Sequence, residues 1–139
     1  MKEKGQVSVE LLVVIGFVVV LFIPLLIFVY YKTNELNKDI DGLQSRLLSS
    51  KLAFIANSLG YLGGGSSMKT EFLLPDRVST LQFRPLGDGG EVLITLNDGS
   101  QVSQVTEFPF ESPAIYQGGI NYKLEFVSNG GEITVRPSS

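Results

Sequence analysis

Hydrophobic and polar positions divide the chain into three stretches with different periods. Residues 11–31 are twenty-one residues without a charge, apolar on every side. As a helix, at about 1.5 Å per residue, they reach roughly 32 Å, close to the thickness of a bilayer's hydrocarbon core. From Lys32 onward polar residues return with a helical period. Leu36, Ile40, Leu43 and Leu47 fall at spacings of four, three and four, and Phe54 lies one heptad further. A second row, Leu48, Leu52, Ile55 and Leu59, widens this stripe into a face broad enough to carry a domain. Asn34, Glu35, Asn37, Lys38, Asp39, Asp41, Gln44, Ser45 and Arg46 make the opposite, solvated face. The pattern predicts one continuous helix over residues 8–59, membrane-like in its first half and amphipathic in its second. Pro24 removes one backbone hydrogen bond and crowds the Val20 carbonyl, which predicts a kink. Gly42 costs about 1 kcal/mol against Ala without breaking the helix.

Gly60 is the expected stop. Gly63-Gly64-Gly65-Ser66-Ser67 reads as a flexible joint, giving a linker over residues 60–69. Beyond it the period changes to two. Strands are predicted at residues 71–74, 78–86, 91–96, 101–108, 122–127 and 132–135. Asn97-Asp98-Gly99-Ser100 and Asn129-Gly130-Gly131 carry hairpin signals, and Gly87-Asp88-Gly89-Gly90 makes a third turn. Val102 and Val105 are out of phase, which suggests a bulge or a partly two-sided strand. Pro109, Pro113 and Gly118-Gly119 break the sheet between its halves. The fold class is therefore α+β: a long N-terminal helix packed against a small antiparallel β head over residues 70–139. The head reads mostly as a meander, with helix residues 47–59 as the cover for its apolar face.

Composition narrows the chemistry. At 139 residues, the chain holds one modest domain once the apolar run is set aside. It has no Cys and no His, which removes disulfides, thiol chemistry, the commonest general base and the commonest metal ligand. The net charge of −3 comes without a basic patch, so nucleic acid is not an expected partner. Asp88, Glu91 and Asp98 sit in or beside turns without the spacing of a calcium loop, and read as turn residues. The glycines at Gly63 lack a following Lys-Ser/Thr pair and a preceding strand, so they are not a phosphate loop. No Asn-x-Ser/Thr sequon is present. No enzyme, cofactor or metal is expected.

The remaining oddity is Glu10, an acid at the edge of the apolar run, where an unpaired charge is costly. Lys2 and Lys4 precede it and favour a cytoplasmic N-terminus. A secretory signal peptide would be shorter in its apolar region and would end in a small-x-small pair. This run ends in Val29-Tyr30-Tyr31-Lys32, with tyrosines suited to a membrane interface. The segment Gln6-Val7-Ser8-Val9-Glu10, after Lys4-Gly5, resembles the Q-x-S-x-E core of the class III signal peptide of archaeal type IV pilin-like proteins. The resemblance covers about the first thirty residues; Val14 stands where the family often has Leu. It implies that residues 1–5 are a leader cut by a prepilin peptidase between Gly5 and Gln6, with Gly5, Gln6, Ser8 and Glu10 as the processing residues. It also implies that Glu10 meets the freed amine at Gln6 of a neighbouring copy. Gln6, Glu10 and Pro24 are then the candidate assembly residues. A duller role for Glu10 is a place in the first helical turn, favoured by the helix dipole.

The function expected from these readings is a structural subunit of an archaeal type IV pilus-like surface filament. The helix over residues 6–31 would cross the membrane before assembly and form the filament core afterwards. The partners would be further copies of the chain and the prepilin peptidase, and the heads could support adhesion. The alternative is a single-pass membrane protein displaying a small extracellular β binding domain.

Overall fold

One helix, α1 (Lys2–Leu62), is followed by seven strands: β1 (Ser67–Leu73), β2 (Val78–Leu86), β3 (Gly89–Leu96), β4 (Gln101–Thr106), β5 (Ala114–Gln117), β6 (Asn121–Ser128) and β7 (Ile133–Pro137). This computed structural model describes residues 2–138; of Lys2 and Glu3 it describes the backbone alone. Met1, the first residue of the expected leader, and Ser139, the last of the expected head, lie outside the described residues. The fold class is α+β, as the pattern predicts.

The helix exceeds its expected bounds at both ends, and each end has a local reason. Upstream, Lys2, Glu3 and Lys4 are good helix formers with nothing to break them. Downstream, Gly63 rather than Gly60 closes the helix. Gly63 takes φ of 87°, open to glycine without strain, and its N–H donates to the carbonyls of Leu59 (3.2 Å) and Gly60 (3.3 Å). Gly60 serves packing instead, since a Cβ there would overlap the Phe108 ring. The chain divides into two units, residues 1–40 and 41–139. The first is helix alone and continues through Pro24. The second takes in the last turns of α1 and all seven strands.

Within the second unit, the strands form two antiparallel sheets rather than one meander. The orders are β1-β6-β7 and β4-β3-β2-β5. The local parts follow the expected hairpins. Gly87-Asp88 joins β2 to β3, and Leu96 N donates to Ser100 O (2.8 Å) across the β3–β4 turn. Asn129 N donates to Glu132 O (2.9 Å) across the β6–β7 turn. The non-local parts do not follow the expected meander. β1 pairs with β6 from Ser67↔Val127 to Leu73↔Asn121, and β5, a strand the pattern does not predict, pairs with β2. The glycine-rich joint is correspondingly short and fastened: Gly65 N donates to Ser128 O (2.9 Å), and Ser128 N to Ser66 O (2.8 Å). β4 ends at Thr106, and its register against β3 is unbroken, so Val102 and Val105 are two faces of one edge strand. The irregularity lies in β2, between Val78 and Thr80. The proline segment separates β4 from β5 and carries Phe110 into the core, where it bridges to Ile133.

The core joins α1 to both sheets through Leu52, Ala53, Ile55, Ala56 and Leu59 on the helix, and Leu81, Phe83, Val92, Ile94, Leu124, Phe126 and Ile133 on the strands. Phe83 is its centre, edge-on to Phe110, Tyr116 and Phe126 at ring distances of 5.2, 6.0 and 5.6 Å. The helix offers only one of its two predicted rows. At about 100° per residue, Leu47 and Phe54 fall on the side of the helix opposite Leu52 and Ala56, so the two rows cannot both face the sheets. Leu48, Leu52, Ile55 and Leu59 turn inward, together with the small residues Ser45, Ser49, Ala53 and Ala56. Leu47 and Phe54 stay 72% and 71% exposed. Ser45, expected on the solvated face, is fully buried; its hydroxyl and that of Ser128 have no hydrogen-bond partner among the described residues.

Candidate functional site

The N-terminal segment is built by helix geometry alone. Gly5, Gln6, Ser8 and Glu10 are all helical positions of α1, and all are exposed. The spacing of four puts Gln6 and Glu10 on one side of the helix, one turn apart. No cation pairs with Glu10 among the described residues, and a Cβ on Gly5 would meet nothing within 4 Å. The expected processing residues thus lie within two accessible turns of the helix.

Residues 11–31 follow directly. Their large apolar side chains are all exposed, from Val18 at 43% to Leu12 at 71%. The segment is long and apolar enough to cross a membrane. A helix apolar all round gains from burial on every side, at about 25 cal/mol per Å² of apolar surface. Just beyond the run, Thr33 Oγ1 donates to Val29 O (2.9 Å), and Lys32 pairs with Glu35 at 2.8 Å. These polar side chains mark the end of the apolar zone.

The acids weighed as turn residues each have a local task. Asp88 occupies the β2–β3 turn. Asp98 Oδ1 accepts from Ser100 N (2.9 Å) and Oγ (2.5 Å), tightening the β3–β4 hairpin. Glu91, nearly buried on β3, accepts from Ser103 Oγ and from Arg84 Nε (2.5 Å). The Ser103 hydroxyl and then the Arg84 guanidinium hold the Glu91 carboxyl below its ordinary value, against the opposing effect of burial. No group of three or more Asp or Glu close enough to hold a metal occurs among the described residues.

One feature of the head was not legible in the sequence. Arg46, Ser49 and Ser50 on α1 face Gln101, Val102, Ser103 and Gln104 on the edge strand β4 across a cleft of about 340 Å³. Sequence pattern placed Arg46 with the solvated face and gave no reason to connect it with β4. Register and helix rotation bring the two together. A more apolar cleft of about 390 Å³ lies between Leu47 and Leu48 on the helix and Leu73 and Pro75 beyond β1. No protein-family model matches this chain, and neither a curated protein nor a solved structure does.

Proposed function

We propose that this chain is a structural, non-enzymatic subunit of an archaeal type IV pilus-like surface filament. On this reading a prepilin peptidase removes residues 1–5, Gln6 becomes the N-terminus, and the helix over residues 6–31 passes from the membrane into a core of like helices. The β heads are outside, where they support adhesion. The precursor is a membrane protein with a cytoplasmic N-terminus. The observation that carries the reading is the helix over residues 11–31, whose large apolar side chains are all exposed, headed by a Glu10 that no cation pairs with among the described residues. Both its environments, lipid before assembly and neighbouring helices afterwards, satisfy the apolar surface. Only the second offers Glu10 a cation, the new amine of Gln6 on another copy. An ion pair in an apolar core adds little net stability, but leaving one partner unpaired is expensive, so the pair selects register. Pro24, inside the apolar run, is the third position assigned to assembly.

Mass measurement of native material sheared from cells tests the first step. A mature N-terminus at Gln6, with filaments lost in Glu10→Ala, is the expected result. An N-terminus at Met1, with no filaments in the wild type, overturns the proposal. The length and hydropathy of the helix suit a single-pass anchor displaying the β head equally well. That second reading requires Glu10→Ala to leave the protein unaltered.

A further inference from the structure

We propose that the cleft between α1 and β4 binds a carboxylate-bearing sugar residue, with Arg46 as its anion-binding group. The first observation is an asymmetry among the arginines. Arg77 pairs with Asp41 at 3.1 Å, Arg84 with Glu91 at 2.5 Å and Arg136 with Glu125 at 2.9 Å. Arg46, the fourth arginine, has no carboxylate among the described residues and lines the cleft. A guanidinium presents a planar fork of donors that matches a carboxylate with two parallel hydrogen bonds.

The second observation is the character of the lining. Cavities for apolar ligands are mostly hydrophobic with a few polar groups. Here the order is reversed: apart from Val102, the lining is Ser49, Ser50, Gln101, Ser103 and Gln104 beside Arg46. Ser49 is buried and its hydroxyl is donated to the Arg46 carbonyl (3.0 Å), while Ser103 donates to Glu91. By strand alternation Gln104 shares the face of β4 that carries the core residue Val102, whereas Gln101 and Ser103 lie with Val105 on the other face, so Ser50 and Gln104 are the polar side chains beside Arg46. The Gln104 side chain is exposed and supplies amide donors and an acceptor. β4 is also an edge strand, so half of its backbone groups have no neighbouring strand. A ligand here gains little from apolar burial and must bind through many hydrogen bonds and one charge. A polyhydroxylated ring bearing a single carboxylate has those groups, and the cleft's volume of about 340 Å³ suits one such ring with some of its water.

The proposal concerns the head of a single chain and does not depend on filament assembly. The test is a nuclear magnetic resonance titration of the full chain in detergent micelles with glucuronate, glucose, acetate and phosphate. The expected result is saturable movement of the Arg46, Ser50 and Gln104 signals with glucuronate. Affinity should exceed that for glucose or acetate by about tenfold, each lacking one half of the recognition. Arg46→Gln, at an exposed position that leaves the core intact, should abolish the response, and Gln104→Ala should weaken it. Equal responses to acetate or phosphate and to glucuronate would reduce the cleft to a bare anion site and overturn the proposal. So would a glucuronate response unchanged by Arg46→Gln, or no response at all.

Discussion

Phe83 and Phe54 offer a direct comparison of two phenylalanines that sequence pattern treats alike. Phe83 is fully buried on β2, in register with Val92 on β3 and Ala114 on β5. It touches three other rings edge-on, at 5.2 to 6.0 Å. Truncating a buried Phe to Ala costs about 3–5 kcal/mol, the transfer of the ring plus the cavity it leaves. Each edge-to-face pair adds about 0.5–1.5 kcal/mol beyond area, which places Phe83→Ala in the upper half of that range. Phe54 lies on α1 and is 71% exposed, so Phe54→Ala should change the stability of the single chain by no more than about 0.5 kcal/mol. Urea titration of the full chain in micelles, followed by near-ultraviolet circular dichroism, reads the difference. Tyr116 and Tyr122 pack against the core and report on the head, whereas far-ultraviolet signal would be dominated by α1. A loss under about 1 kcal/mol for Phe83→Ala, or equal losses for the two variants, would refute the assignment of core and exposed faces.

Further consequences concern acid stability, glycine packing and an orphan hydroxyl. Glu91 has its folded pKa depressed, so it contributes stability that is present above its ordinary value of 4.5 and is lost as pH falls through the folded value. Glu91→Gln should therefore flatten the acid limb of a stability-versus-pH curve and lower stability at neutral pH, and an unchanged acid limb would contradict this. Gly42→Ala should raise helix stability by about 0.5–1 kcal/mol, because a Cβ there meets nothing within 4 Å. Gly60→Ala should instead lower stability by about 1–3 kcal/mol, because its Cβ overlaps the Phe108 ring. Thermal melts of the pair should move in opposite directions. Ser45→Ala should be neutral or stabilising in the same melts, since it removes a buried hydroxyl without a partner among the described residues.

Much of this architecture is readable without coordinates because the forces involved are local. An uncharged run of twenty-one residues has to be helical wherever backbone groups cannot reach water, and period-two alternation with Asp-Gly and Asn-Gly turns specifies hairpins. The β3–β4 and β6–β7 turns fall at those signals.

What the chain's order left open is everything decided by partners distant in sequence. Ser67 and Met68 look like linker until β6 supplies their ladder, and Ala114–Gln117 looks like a break until β2 does. The two apolar rows of the helix are equivalent by composition, and only packing against the sheets selected Leu48, Leu52, Ile55 and Leu59. That same rotation sends Phe54 outward, buries Ser45, and brings Arg46 beside β4. Periodicity tells which residues share a face. It carries no information about which face another element will cover, because that choice is made by long-range burial and strand register.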